Sequence, residues 1–209
     1  MNIVHIPNNY YIAGSDVLTK LRKFIKPMTN HLGCTLANMG IRPNHITYLG
    51  LFTSALVPVS AYLLGPSFLI PLLIAISSFL DLLDGAIAKA ANLKSTFGSF
   101  LDSVSDRFSD AMYILSLSIL GLNHVLVILF LAFSFLISYI RAKAESLGLK
   151  IEGIGLMERG DRIIALLAIT VLITLGLNTY ATYLLIVSLL LCLVTVIHRG
   201  VYVWRKLKK

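Results

Sequence analysis

The 209 residues are 57 % hydrophobic and only 13 % charged, against about 25 % charged in an ordinary soluble domain. A chain this apolar would expose large apolar patches in water, which excludes a water-soluble globule. The net charge of +8 does not indicate nucleic acid, because the basic residues sit in short stretches between apolar runs and not along an aromatic-rich face.

The first fifteen residues hold no Lys or Arg, and no signal-like apolar region follows them, so no cleavage is expected. From Ser15 to Asn38, Leu18, Leu21, Phe24 and Ile25 recur at spacings of three and four among Lys20, Arg22, Lys23 and Lys26. That spacing predicts an amphipathic helix capped by Ser15 or Asp16, lying on the cytoplasmic membrane surface or packed on the bundle. Six apolar runs then read as membrane spans: His45 to Leu64, Phe68 to Ala91, Gly98 to Leu120, Val125 to Arg141, Ile163 to Leu177 and Thr182 to His198. The expected architecture is all-α, with an N-terminal cytoplasmic segment over 1–43 and one six-helix domain over 44–209. Cys34 and Cys192 are far apart and fit neither a disulfide framework nor a zinc pattern; both read as small apolar residues.

Cation positions set an orientation. With the N-terminus inside, the outer turns at 65–67, 121–124 and 177–182 contain no Lys or Arg, and all 18 basic residues fall on the inner side. The positive-inside rule then places both termini in the cytoplasm.

Five of the ten acidic residues lie inside the second and third predicted spans: Asp81, Asp84, Asp102, Asp106 and Asp110. A carboxylate at the centre of a bilayer costs about 2.5–3.5 kcal/mol on insertion scales, so five of them need a compensating ligand or cavity. Divalent metal is the simplest, since hard cations take carboxylate oxygens. Asp81 and Asp84 share one helical face, as do Asp102 and Asp106, with Gly98 one turn earlier on the latter. Asp84 stands about 12 Å before Asn92, and Asp106 about 12 Å beyond Gly98, at about 1.5 Å per residue. The four carboxylates therefore meet at similar depth, open to the cytoplasm. A set of ion pairs is the plainer alternative, but only Arg107 and Lys89 are near in sequence. An ion or proton pathway also places acids in membranes, and a structural scaffold would tolerate their loss. Asp110, one turn beyond Asp106, has Arg107 or a polar neighbour as its expected partner.

The order Asp81-Leu82-Leu83-Asp84-Gly85-Ala86-Ile87-Ala88-Lys89, eight residues, Gly98, three residues, Asp102, three residues, Asp106 resembles the signature of the CDP-alcohol phosphotransferase family. The one departure is Lys89, where the family usually has Arg; Lys keeps the charge without the planar fork. The resemblance implies an enzyme with two Mg²⁺ or Mn²⁺ ions on Asp81, Asp84, Asp102 and Asp106. It implies Asp106 as general base, a CDP-activated lipid (CDP-diacylglycerol or CDP-archaeol) as donor, and a homodimer in the cell membrane. Asn44, Thr47, Asp81, Asp84, Gly85, Ala88, Lys89 and Gly98 would bind the nucleotide. Pro43-Asn44-His45-Ile46-Thr47 is similar to a family element beside that nucleotide, although Asn44 could equally be a helix cap.

Basic residues gather at three inner helix ends, in Ser138-Tyr139-Ile140-Arg141-Ala142-Lys143-Ala144-Glu145, in Glu158-Arg159-Gly160-Asp161-Arg162 and in His198-Arg199. Arginines placed so suit an acceptor that already carries a phosphate, although flanking charge alone would look the same. These blocks, with Leu101 to Arg107, are similar to the phosphatidylinositol-phosphate and archaetidylinositol-phosphate synthases. That likeness implies Arg141, Arg159 and Arg199 as the acceptor-phosphate pocket and inositol phosphate as acceptor. Glycerol 3-phosphate is the alternative with the same chemistry, and ion transport a distant one.

Overall fold

The computed structural model describes residues 16–93, 95–151 and 153–208, with side chains from Pro27 onward. Seven helices and no strand occur among them: α1 Asp16–Asn38, α2 Pro43–Leu64, α3 Leu69–Ala90, α4 Thr96–Ile119, α5 His124–Ser146, α6 Arg159–Thr174 and α7 Asn178–Leu207. The six apolar segments fold as α2 to α7. The backbone of the N-terminal segment forms α1; its proposed cap Ser15 and the amphipathic face from Leu18 to Lys26 lie outside the described side chains.

Local chemistry sets the helix ends. Pro43 opens α2 at a position where its missing N–H costs nothing, and Arg42, not Asn44, occupies the cap. The alternative of Asn44 as helix cap is thereby excluded. Gly65 ends α2 with φ +65°, a conformation open chiefly to glycine. Ser95 caps α4 by accepting from Gly98 N–H at 2.9 Å, and Asn123 caps α5 by accepting from Val125 and Leu126.

Several predicted boundaries shift. α6 begins four residues before Ile163, because Glu158 N–H donates to the Asp161 carboxylate at 2.9 Å and starts the helix there. It stops at Thr174, short of Leu177. α5 and α7 run past the ends of their apolar stretches, to Ser146 and Leu207, since a change from apolar to basic residues does not interrupt backbone hydrogen bonding.

α2, α3, α5 and α7 are long and apolar enough to cross a membrane by length and composition, so the protein is a multi-pass membrane protein. α4 has the length but carries Asp102, Asp106, Arg107 and Asp110. α6 has 16 residues, about 24 Å at 1.5 Å per residue. Large apolar side chains face outward all around these helices, among them Phe52, Tyr62, Phe68, Val125, Ile128 and Leu190, as lipid-facing surfaces do.

α2 packs on α3 and α4, α5 and α6 pack on α7, and α1 lies across α3. One large apolar core, including Ile74, Tyr113, Leu117, Phe130, Ile169 and Leu185, joins α2 to α7. A smaller one around Ile46, Leu83 and Ile87 sits under α1 near the start of α2 and the end of α3. The connection between α5 and α6 is tied down on α7. Arg199 Nε donates to Ile154 O at 2.7 Å, and Thr195 Oγ1 accepts from Leu156 and Met157 N–H at 3.1 Å each. Gly155, at φ +125°, lies directly on the Thr195 side chain, so no larger residue fits there.

Candidate active site

α3 and α4 carry the carboxylates, and the helical period aims them at one another. Oxygens of Asp81, Asp102 and Asp106 lie within 4.8 Å of one another. Asp84, one turn nearer the C-terminal end of α3, is buried and accepts from Thr47 Oγ1 at 2.6 Å. Thr47, Ser77, Asp81, Asp84, Ser105 and Ser109 line a small cleft between α2, α3 and α4. α2 closes against this cleft through Ser77 Oγ, which donates to Gly50 O at 2.7 Å.

The positions expected to hold a nucleotide lie toward the start of α2, the end of α3 and the start of α4. Gly85 is exposed with nothing within 4 Å of where a Cβ would stand, and Asn44 Oδ1 lies 3.8 Å from the Cβ position of Gly98. Ala88 is half-buried and Lys89 exposed at the end of α3. Small residues here leave the helix backbone accessible to a flat ligand.

The cations come from further along the chain than the sequence suggests. Arg107 Nη1 lies 3.3 Å from Asp106 Oδ2, as its position allows. Arg159, at the first turn of α6, reaches into the carboxylates: its Nη1 is 2.5 Å from Asp81 Oδ2 and 2.7 Å from Asp106 Oδ1. Its Nε is 3.4 Å from Asp110 Oδ1, and the buried Arg162 Nη2 is 3.0 Å from Asp110 Oδ2. Arg107 and Lys89 are therefore not the sole counter-ions, and Asp110 pairs with α6 and not with Arg107. The sequence groups Arg162 with the basic residues at the start of α6 but gives it no role of its own, since it reads there as flanking charge. Its one available signal is the spacing of three from Arg159, which puts both on one helical face, as the spacing of four does for Asp106 and Asp110.

Of the other expected phosphate ligands, Arg141 pairs with Glu145 at 2.8 Å on the surface of α5. Arg199 is 2 % exposed and bonds the carbonyls of Ile154 and Ile137 at 2.7 and 3.0 Å, with Glu158 at 3.5 Å. Arg159 is thus the expected arginine that the structure brings onto the carboxylates.

A divalent cation fits this donor set. Three carboxylates within 4.8 Å repel one another unless a cation separates them. Asp106 Oδ1 is buried and makes no hydrogen bond among the described residues, its contact with Arg159 being an ion pair outside hydrogen-bond geometry. One of its lone pairs therefore remains available to a metal.

Comparison with known proteins places the chain among enzymes of one family. Archaetidylinositol phosphate synthase of Aeropyrum pernix is 46 % identical over 138 residues, covering 66 % of this chain and 71 % of the relative. The crystal structure of Mycobacterium tuberculosis phosphatidylinositol phosphate synthase with CDP-DAG bound matches with a TM-score of 0.72 at 26 % identity, over 85 % of this chain and 94 % of that one. The same enzyme in complex with manganese and citrate gives 0.71 at 26 % identity, over 84 % and 88 %. The sequence profile described as CDP-alcohol phosphatidyltransferase matches residues 40–197, a stretch that contains every carboxylate of the cleft, and the chain belongs to that family.

Proposed function

We propose that the protein transfers a phosphatidyl-type group from a CDP-activated lipid to inositol phosphate, with release of CMP. The observation that carries this reading is the meeting of Asp81, Asp102 and Asp106 within 4.8 Å, with Arg159 at their edge. The relatives named as archaetidylinositol phosphate synthase and phosphatidylinositol phosphate synthase point to the same donor and acceptor classes.

Asp81, Asp84, Asp102 and Asp106 would hold two Mg²⁺ or Mn²⁺ ions, a reading supported by the manganese bound in the mycobacterial enzyme. Bound there, the ions would neutralise the diphosphate and stabilise the departing phosphate. Asn44, Thr47, Gly85, Ala88, Lys89 and Gly98 seat the CDP moiety along the inner ends of α2, α3 and α4, with Asp81 and Asp84 on its diphosphate. Asp106 accepts the proton of the acceptor hydroxyl. The hydroxyl oxygen forms a new bond to the lipid-linked phosphorus, the bridging P–O bond breaks, and CMP leaves with that electron pair. Arg141 and Arg159 grip the acceptor's own phosphate through charge-assisted hydrogen bonds, while Arg199 adds positive field from beneath and holds the loop that leads into α6.

All six helices α2 to α7 cross the bilayer in this account, forming one domain over 44–209. Both termini and the cleft face the cytoplasm, supported by the absence of Lys and Arg from the three outer turns, and α1 lies at the cytoplasmic surface. Two copies form a homodimer. The test is CMP release by purified protein with CDP-lipid and Mg²⁺, comparing inositol phosphate, glycerol 3-phosphate, inositol and serine. Turnover with inositol phosphate alone is expected; turnover with glycerol 3-phosphate instead would keep the aspartate chemistry and overturn the acceptor.

A further inference from the structure

Asp110 belongs to neither the metal-binding set nor the nucleotide positions, yet it is 3 % exposed and one turn beyond the proposed base. Its Oδ2 accepts from Arg162 Nη2 at 3.0 Å, and Arg162 is itself 2 % exposed. Had this pair served only to fill the interior, one buried carboxylate would match one buried arginine. Instead the second oxygen, Oδ1, accepts from Nε of Arg159 at 3.4 Å. Asp106 and Asp110 share a face of α4, and Arg159 and Arg162 share a face of α6. The two helices thus set a pair of carboxylates against a pair of guanidiniums.

The three contacts of Arg159 are not equivalent. Its Nη1 lies on Asp81 and Asp106, both of which also belong to the metal-binding set, so a cation on those oxygens competes with Nη1 for them. The contact at Nε involves Asp110 alone, which is outside that set and is immobilised by Arg162. A guanidinium held at Nε keeps its two terminal nitrogens together on the opposite edge, the edge that pairs with phosphate.

We infer that Asp110 is a positioning residue for the transfer reaction: clamped by buried Arg162, it holds Arg159 at Nε and so presents the terminal guanidinium nitrogens to the acceptor phosphate. This rests on Arg159 being an acceptor-phosphate ligand, as proposed above. Asp110 acts on the acceptor through Arg159 and does not touch the reacting atoms.

The experiment measures KM for inositol phosphate and for CDP-lipid, with kcat, in four proteins: wild type, Arg159→Gln, Asp110→Asn with Arg162→Gln, and the combination of all three changes. Asp110 and Arg162 are altered together because removing one partner would leave a buried charge unpaired and endanger folding. The paired change is expected to raise KM for inositol phosphate roughly tenfold, in keeping with the loss of a hydrogen bond to a charged group, with KM for CDP-lipid unchanged. In the Arg159→Gln background it is expected to have no further effect, the coupling that a double-mutant cycle isolates. Additive effects, or equal rises in both KM values, would overturn the inference. If Arg159→Gln raises KM for inositol phosphate and the paired change does not, Asp110 loses its role while Arg159 keeps its own. A wild-type KM in Arg159→Gln would overturn both. Should the paired variant fail to fold, Asp110→Glu, which keeps the charge but moves it by one methylene, is judged by the same coupling to Arg159→Gln.

Discussion

Each carboxylate of the cleft has its own environment. Asp84 is buried against Thr47, Asp106 lies between Arg107 and Arg159, and Asp81 meets Arg159, while Asp102 is exposed. Exposure and proximity to Asp81 and Asp106 give Asp102 little structural task and a direct line to a metal. Asp102→Asn is therefore expected to leave the melting temperature within a few degrees of wild type and to abolish CMP release; retention of turnover would remove Asp102 from the metal-binding set. Thr47→Val removes the hydroxyl from the buried Asp84, and a buried charged group losing its donor costs about 1–3 kcal/mol. Thermal melting should show that loss for Thr47→Val and a much smaller one for Thr47→Ser. At this scale the sequence was informative where residues share a helix. The spacings within α3 and α4 set the carboxylates facing one another, and Arg107 sits beside Asp106 in both views. It was uninformative where partners come from distant helices: Arg159 lies 78 positions from Asp81, and no periodicity links α6 to α3. Arg162 is hidden for the same reason, since a buried and a flanking arginine look alike in a one-dimensional pattern.

Among the elements, α1 and α3 approach each other closely at Gly33. A Cβ at Gly33 would stand 2.9 Å from Ala86 Cβ and 3.0 Å from its carbonyl carbon, so the two backbones touch beside the residues proposed to seat the nucleotide. Gly33→Val must push α1 away. Overpacking of this kind costs about 1–3 kcal/mol, and the expected readings are a lower melting temperature with a raised KM for CDP-lipid. An unchanged KM would separate α1 from the site. The helices α2, α3, α5 and α7 were plain in the sequence because length and hydropathy agree. α4 shows how chemistry interrupts that signal: four charged residues on one helix lower its hydropathy while its 24 residues preserve its length. The early start of α6 depends on the Glu158 to Asp161 cap, legible as two acids three apart just before an apolar run, while the apolar run itself begins only at Ile163.

For the molecule as a whole, the basic residues of the α5–α6 connection, the carboxylates of α3 and α4 and both chain ends belong to one side in the six-span account. Single cysteines introduced at Pro66 and Asn123, with Cys34 replaced, should react with a membrane-impermeant maleimide added outside intact cells. A cysteine at Lys150 should react only after permeabilisation, and labelling of Lys150 from outside would contradict the orientation. The central claim is that the carboxylate cluster, loaded with metal, joins a CDP-lipid to inositol phosphate. Mass spectrometry of the lipid formed by purified protein from those two substrates tests it most directly, with Mg²⁺, with chelator, and with Mn²⁺ restored. A lipid phosphoinositol phosphate that appears with metal, vanishes with chelator and returns with Mn²⁺ is the predicted result. Its formation in the presence of chelator, or its absence from folded, metal-loaded protein, would contradict the account.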